Sequence, residues 1–175
     1  LLHNETYDLL KTHPQPSLES LPSYYESEDY ISHTDGKRTF FEKMYHFVKS
    51  KAIKNKVELI NKWQPQKGTL LDIGAGTGDF LTEAKNKGWN VTGIEPNAKA
   101  KQIAISKGVT FSETLEVLES HSFDVITMWH VLEHVPDLEF QLSELKRLLK
   151  PNGTIIIAVP NFKSYDAKKY KVFWA

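Results

Sequence analysis

The fold is decided by one run of residues, Leu70-Leu71-Asp72-Ile73-Gly74-Ala75-Gly76-Thr77-Gly78-Asp79-Phe80. An apolar strand leads into a turn with glycine at every second position, and a helix follows directly. Because glycine has no Cβ, the backbone of such a turn can adopt positive φ and approach a ligand closely. In doubly wound α/β proteins, a glycine-rich turn between a strand and a helix holds a nucleotide-like cofactor. The run therefore predicts an α/β fold with a cofactor site at this turn.

Short apolar runs alternate with helical stretches after Pro65. The pattern predicts strands at 69–73, 90–95, 109–111, 123–129 and 153–159, and helices near 79–87, 97–107, 113–119 and 137–149. The strands lack polar alternation, so both of their faces must be covered, as in a parallel sheet. Five strands joined by helical crossovers predict a doubly wound, mostly parallel sheet over residues 65–175.

Residues 1–64 differ from the rest of the chain in composition and in hydrophobic pattern. Proline, serine, tyrosine and acidic residues dominate positions 1–38, where the periodicity is weak. Apolar side chains then recur at helical spacing from about Thr39 to Trp63, which predicts one long amphipathic helix or two shorter ones. We therefore predict an N-terminal lid and helical segment over 1–64, followed by the sheet domain.

The composition gives no support to several classes of function, although it does not exclude a nucleic-acid substrate. Lys+Arg and Asp+Glu both number 22, so no net charge draws the chain to nucleic acid or to anionic lipid. The absence of cysteine excludes disulfides and cysteine-based zinc sites in this chain. The first residues are too polar for a signal peptide, and the longest apolar run, 155–159, is too short to span a bilayer. A cytoplasmic location with no membrane partner is therefore the default prediction.

Two kinds of cofactor fit a glycine turn of this type. Glu95 ends the second strand about twenty residues beyond the turn, where a carboxylate accepts hydrogen bonds from ribose hydroxyls in NAD-binding and other nucleotide-binding domains. The third glycine of the dinucleotide pattern, however, is replaced by Asp79, and Asp72 precedes the turn. A diphosphate needs positive potential here. Two carboxylates instead suit S-adenosylmethionine, which carries an ammonium and a sulfonium.

Four motifs in order carry a family resemblance: Leu71-Asp72-Ile73-Gly74-Ala75-Gly76-Thr77-Gly78, Gly93-Ile94-Glu95-Pro96-Asn97, Trp129-His130-Val131-Leu132-Glu133-His134-Val135-Pro136-Asp137 and Leu149-Lys150-Pro151-Asn152-Gly153-Thr154. Together they resemble class I S-adenosylmethionine-dependent methyltransferases of the small-molecule type 11, 12 and 23-like families. The resemblance implies a Rossmann-like fold, S-adenosylmethionine as cofactor and a small-molecule methyl acceptor.

The resemblance also implies roles for individual residues. The methionine end of the cofactor would contact Asp72 and the backbone of Gly74, Ala75, Gly76 and Gly78. The ribose would bind Glu95, while the adenine would lie between Pro96 and Asn97 and near Ser112 and Glu113. The methyl group would be bordered by Trp129 and His130.

The pattern His130-x-x-Glu133-His134 permits other interpretations. It spells an inverted zinc-peptidase motif, which requires both histidines on one helix. Some methyltransferases bind a divalent metal through E-x-x-E-H at this place, but His130 replaces the first Glu here, which disfavours magnesium. We favour a structural role for Glu133 and His134 and predict no metal. If the acceptor must lose a proton, His134 and His33 are the candidate bases.

The two ends of the chain lead to further predictions, one about a lid over the cofactor and one about the missing strands of the sheet. Residues 17–38 resemble the segment that precedes the core in many bacterial members, and Tyr24, Tyr25, Tyr30 and His33 form either a lid over the cofactor or a contact with the sheet edge. The family sheet has seven strands, so a chain ending at 175 is expected to be truncated after the fifth, with an edge that a homodimer would cover. A non-catalytic S-adenosylmethionine- or nucleotide-binding module and an NAD-binding dehydrogenase domain are the alternative functions.

Overall fold

The computed structural model of the protein describes residues 2–17, 20 and 40–174. It begins with the short strands β1 (Leu2–Asn4) and β2 (Leu9–Lys11), which pair as an antiparallel hairpin, and the long helix α1 (Phe40–Trp63). The elements that follow are β3 (Thr69–Ile73), α2 (Asp79–Asn86), β4 (Asn90–Ile94), α3 (Ala98–Ser106), β5 (Thr110–Phe111), β6 (Phe123–Trp129), α4 (Leu138–Leu148), β7 (Leu149–Ala158) and α5 (Tyr165–Tyr170).

The five later strands form one parallel sheet in the order β5-β4-β3-β6-β7. The chain moves outward from β3 to β4 and β5, and then crosses to β6 on the other side of β3. In open α/β sheets, ligands bind where the strand order reverses, beyond the carboxyl ends of the strands. Here that place is the boundary between β3 and β6. The topology therefore confirms the predicted fold class and locates the candidate site.

Alternate residues of the central strands pack on opposite faces of the sheet. Leu70 belongs to a cluster with Val57 and Ile60 of α1 and with buried residues of α2 and α3. Its neighbour Leu71 belongs to a second cluster, with Leu145 and Leu148 of α4. Both faces of the sheet are thus covered by helices, which explains why its strands are apolar without alternation.

The predicted strands and most of the predicted helices agree in position with the structure. The amphipathic stretch before Trp63 forms one helix rather than two. The last strand differs, because β7 begins at Leu149, directly after α4, instead of at residue 153. Asn152 lies inside this strand with a φ of 65°, near a register shift against β6. The Asn-Gly pair therefore marks an irregularity of the strand rather than its start.

The predicted helix at 113–119 is wrong, since turns connect β5 to β6. The guanidinium of Arg147 on α4 donates hydrogen bonds to the carbonyl oxygens of Leu115 (2.9 Å) and Leu118 (2.8 Å). The side chain of Leu115 is buried in the cluster beneath α4. Carbonyls that a helix would pair internally are thus bound by a distant arginine, which a local pattern does not reveal.

No helix within the described residues is long and apolar enough to cross a membrane. The predicted lid residues Tyr24, Tyr25, Tyr30 and His33 lie outside the described part of the chain, so the lid stays a prediction. The division of the chain at 64/65 also stays a prediction.

Candidate functional site

The glycine turn lies against the end of β4. The backbone N–H groups of Gly74 and Ala75 both donate to the carbonyl oxygen of Ile94, at 2.8 and 3.0 Å. Gly74, Gly76 and Gly78 have φ values of 75°, 53° and 74°, in the left-handed region that favours glycine. The alternating glycines thus let the chain reverse sharply between β3 and α2.

The three glycines have different surroundings. A Cβ on Gly74 would lie 2.3 Å from a methyl carbon of Val131, and one on Gly78 would lie 2.6 Å from the Cβ of Ala104. Gly74 and Gly78 therefore serve close packing, while the N–H of Gly76 donates to the carboxylate of Glu95.

Glu95 connects the turn to the start of α3. Its buried carboxylate accepts hydrogen bonds from the backbone N–H groups of Gly76 (2.7 Å) and Asn97 (2.8 Å). The Asn97 side chain caps α3 by accepting a hydrogen bond from the N–H of Ala100. Pro96, between Glu95 and Asn97, is exposed. The structure thus brings the predicted ribose-binding acid into direct contact with the glycine turn.

Asp72 is a second buried carboxylate close to the turn, only 3% exposed. It accepts a hydrogen bond of 2.6 Å from the hydroxyl of Thr127 on β6. Burial raises the pKa of Asp72 to about 7, while the Thr127 hydrogen bond and the positive charge of Lys56 act in the opposite direction and the charge of Glu95 adds to the increase. Because burial disfavours its charge, the ionised form of Asp72 would be stabilised by a cationic ligand.

Asp79 does not play the part expected from the sequence. Its carboxylate forms ion pairs of 2.7 Å with both Lys49 of α1 and Lys107, which follows α3. Burial raises the pKa of Asp79, but the two lysine hydrogen bonds outweigh that effect and lower it. The residue lines a cavity of about 640 Å³ between α1, α2 and α3. Its charge is therefore compensated, so that of these two acids only Asp72 still disfavours a diphosphate.

Trp129 and His130 lie at the end of β6, next to the turn. The Trp129 ring packs edge-on against Phe80 (5.7 Å between ring centroids), and the Lys56 ammonium lies 4.4 Å from its centroid. The buried Nε1–H of Trp129 has no hydrogen-bond partner within the described residues. His130 adopts a φ of 59° and its side chain is exposed. An unpaired buried donor at this edge is a polar group that a ligand can satisfy.

Ser112 and Glu113 follow β5 at the same edge of the sheet. The N–H of Ser112 donates to the carbonyl oxygen of Gly93 (3.0 Å), and its hydroxyl donates to the carbonyl oxygen of Thr114 (2.9 Å). The exposed Glu113 forms an ion pair of 2.6 Å with Lys101 on α3. Ser112 thus lies beside the end of β4, whereas Glu113 is directed toward a lysine.

The zinc-peptidase interpretation of residues 130–134 is wrong. Residues Leu132–His134 form a single 3₁₀ turn and His130 directly follows β6, so the two histidines do not share an α-helix. His130 and Glu133 form a weak ion pair of 3.7 Å, and the backbone N–H of His134 donates to Val131. Among the residues that the structure describes, no cluster of three or more His, Asp or Glu side chains could hold a metal.

Sequence reasoning missed two residues of the site, Lys56 and Thr127. Thr127 is fully buried in the otherwise apolar strand β6, where only the pairing with β3 places it beside Asp72. Lys56 lies on the inner side of α1, in the stripe formed by Ile53, Val57 and Ile60. A lysine at a core position of an amphipathic helix is the signal that could have identified it.

Comparisons with known proteins agree with this geometry. A family model described as a methyltransferase domain matches residues 44–175. The ubiquinone biosynthesis O-methyltransferase of Pectobacterium atrosepticum is 31% identical over 102 residues, which are 53% of this chain and 42% of that protein. This chain thus spans less than half the length of the curated relatives it matches.

Two solved structures share the architecture. A SAM-dependent methyltransferase of Thermotoga maritima, described as a possible histamine N-methyltransferase, superimposes with a TM-score of 0.56 at 28% identity, covering 69% of this chain and 57% of that one. Phosphoethanolamine N-methyltransferase 2 of Haemonchus contortus, in complex with S-adenosyl-L-methionine, gives 0.54 at 25% identity, covering 68% of this chain and 32% of that one.

Proposed function

The chain belongs to the class I S-adenosylmethionine-dependent methyltransferase family, and on this premise we propose that it transfers a methyl group from S-adenosylmethionine to a small molecule. The observation that carries the proposal is the convergence of two buried carboxylates, Asp72 and Glu95, on one glycine turn at the reversal of the strand order. The neutral overall charge and the absence of support for a nucleic-acid substrate agree with a small acceptor.

The residues around the turn fit this cofactor. Asp72 would bind the ammonium group of its methionine end, next to the backbone of the glycine turn. Glu95 would exchange its hydrogen bonds from backbone N–H groups for the ribose hydroxyls. Further contacts are proposed for the backbone of the turn and for the side chains around the adenine and the methyl group: Gly74, Ala75, Gly78, Pro96, Asn97, Ser112, Trp129 and His130.

When bound, the cofactor supplies a methyl group on a positively charged sulfur, ready for an in-line displacement. The protein has to hold the acceptor in line with that methyl group and exclude water, since no bond to the protein is formed. The unpaired N–H of Trp129 would help to orient an oxygen atom at this place. His134 and His33 stay the proposed bases for an acceptor that must lose a proton. A cytoplasmic location and a homodimer also stay predictions.

Calorimetry with S-adenosylmethionine, S-adenosylhomocysteine and NAD tests the cofactor. We expect binding of the first two and not of NAD, and a loss of binding in Asp72→Asn and Glu95→Gln but not in Glu119→Gln, which changes an exposed acid far from the turn. Binding of NAD in preference to S-adenosylmethionine would contradict the assignment.

Transfer is tested separately with methyl-labelled S-adenosylmethionine and a panel of phenols, amines and carboxylic acids. We expect label to appear in at least one small-molecule class and not in added RNA. Tight binding without transfer to any acceptor would instead support the non-catalytic module.

A further inference from the structure

Helix α1 carries a lysine, Lys56, among the apolar residues that pack against the sheet. Ile53, Val57 and Ile60 recur at spacings of four and three residues, and Val57 and Ile60 are buried in the cluster beneath α1. Lys56 precedes Val57 and lies on this inner side, where it is half-buried. Lysine is rarely placed at such a position unless a partner compensates its charge.

Contacts on β6 show where the ammonium lies. Thr127 and Trp129 are two residues apart in this strand and therefore face the same side of the sheet. Lys56 lies over the ring of Trp129 at 4.4 Å, and Thr127 donates its hydrogen bond of 2.6 Å to Asp72. The ammonium of Lys56 is thus held on the face of the sheet that carries Asp72, one strand away from it.

Few charged groups act on Asp72. Lys56 of α1 attracts it and lowers its pKa, Glu95 after β4 repels it and raises its pKa, and Thr127 of β6 stabilises its charged form by a hydrogen bond. The buried side chains that α2 places on this face, Phe80, Leu81 and Ala84, carry no charge. Lys56 is therefore the cation that opposes the burial of this carboxylate.

We propose that Lys56 is a positioning residue for cofactor binding: its ammonium, anchored over Trp129, favours the ionised form of Asp72, which pairs with the ammonium group of the cofactor. This inference rests on the proposed function and adds to it a residue outside the family motifs. In a poorly solvated site, the attraction between unlike charges is strong, and a carboxylate without such a partner takes up a proton instead. The methionine end of the cofactor is a zwitterion, so its own carboxylate offsets the repulsion between its ammonium and Lys56.

The proposal predicts a specific pH dependence. Because burial raises the pKa of Asp72 to about 7, the affinity of the wild-type protein for S-adenosylhomocysteine should fall as the pH is lowered through neutrality. Lys56→Met keeps the length of the side chain and its contact with the Trp129 ring but removes the charge. The midpoint of this fall should move upward by about one pH unit, which is about a tenfold loss of affinity below the wild-type midpoint. Above both midpoints the two proteins should bind equally.

Calorimetry between pH 5.5 and 9 measures this midpoint for the wild type, Lys56→Met, Lys56→Arg and Lys54→Met. Lys56→Arg should restore the wild-type profile because it restores the charge. Lys54→Met is the matched control, since Lys54 is an exposed lysine of the same helix. A loss of affinity in Lys56→Met that is equal at every pH, or a midpoint that does not move, would overturn the proposal.

A second measurement needs no cofactor. The ¹³C resonance of the Asp72 carboxyl group, assigned with Asp72→Asn, reports its pKa directly in the free protein. We expect this pKa to be higher in Lys56→Met than in the wild type and unchanged in Lys54→Met. If the wild type fails to bind the cofactor at all, the proposed function fails, while an unchanged carboxyl pKa in Lys56→Met refutes the role of Lys56 alone.

Discussion

The ionised form of Asp72, which is proposed to bind the cofactor, is also the form that burial disfavours in the folded protein. An aspartate in an unfolded chain has a pKa near 3.9, whereas burial raises the pKa of Asp72 to about 7 in the folded protein. Between these values the folded state holds a proton that the unfolded state has lost. The free energy of unfolding should therefore fall as the pH rises from about 4 to about 7, and this contribution should be constant above that range.

Asp72→Asn should remove this pH dependence, because an amide does not titrate. Relative to the variant, we expect the wild type to lose up to about 1.4 kcal/mol of stability for each pH unit between about pH 5 and pH 6, and less as the pH approaches 7. Urea denaturation at pH 5, 6, 7 and 8 measures the difference, with Asp166→Asn on α5 as an exposed control. Parallel stability profiles for the wild type and Asp72→Asn would show that Asp72 is not a protonated buried acid.

Gly76 and Gly78 allow the packing and binding roles of the turn to be separated. Both have positive φ, so alanine pays a similar backbone cost at either position. Gly78→Ala must also displace Ala104, and we expect it to be less stable than Gly76→Ala by about 1 to 3 kcal/mol. Gly76→Ala should instead lose more affinity for S-adenosylhomocysteine, because strain at this positive φ would displace the N–H that binds Glu95, the proposed ribose-binding acid. Thermal denaturation measures the stability of both variants, and calorimetry measures their affinity. A Gly76→Ala variant less stable than Gly78→Ala, or a Gly78→Ala variant with the weaker affinity, would contradict the assignment.

At the scale of single residues, sequence reasoning located some carboxylates well and misjudged others. The positions of Asp72 and Glu95 follow from the strand pattern, because the carboxyl ends of parallel strands meet at one edge. The charge of Asp79 was misjudged because Lys49 and Lys107 come from helices on either side of α2. The partner of a surface carboxylate depends on tertiary packing, which a linear pattern does not contain.

The elements of the sheet were predictable for a physical reason that fails between β5 and β6. Where a strand or a helix buries one of its faces, apolar residues recur in the sequence at the spacing of that face, so the element can be predicted. The connection at 112–122 is instead held by Arg147, whose guanidinium also donates to Ser120 and pairs with Glu144. Hydrogen bonds from one distant side chain leave no periodic pattern in the sequence. The leucines at 115 and 118 have the spacing of the apolar side of a helix, although no helix forms there.

Arg147→Lys should loosen this connection. A single ammonium cannot reach the two carbonyl oxygens and the serine hydroxyl that the planar guanidinium binds together. We expect amide hydrogen exchange at residues 115–120 to become faster by about tenfold or more, while β3 and β6 stay protected. Mass spectrometry of exchanged peptides measures this, with Lys146→Met, at an exposed site of the same helix, as the control. Equal exchange in Arg147→Lys and the wild type would show that the turns hold themselves.

For the whole molecule, the order of the strands divides the site into two sides. Asp72 lies on β3 and Glu95 directly follows β4, whereas Trp129 is the last residue of β6, so the proposed contacts with the methyl group lie on the β6 side of the site. The segments beyond these last two strands contact the N-terminal hairpin. Tyr7 hydrogen-bonds to Glu139 at the start of α4, and Asp8 pairs with Lys163 after β7. The sequence did not predict this contact, because hairpin and partners are separated by more than a hundred residues and the hairpin has no core pattern.

Deletion of residues 1–12 should therefore affect the two sides of the site differently. We expect the affinity for S-adenosylhomocysteine to stay close to the wild-type value, because within the described part of the chain the hydrogen bonds of the glycine turn and of Glu95 involve no residue of the hairpin. Hydrogen exchange should become faster in the segments 130–139 and 159–164, which lose Tyr7 and Asp8 as partners. Once an acceptor is known, its KM should rise while the KM for the cofactor does not. Tyr7→Phe, which removes only the hydrogen bond to Glu139, should give a smaller change of the same kind in 130–139. If the deletion weakened cofactor binding and left both segments protected, the hairpin would belong to the cofactor side of the site.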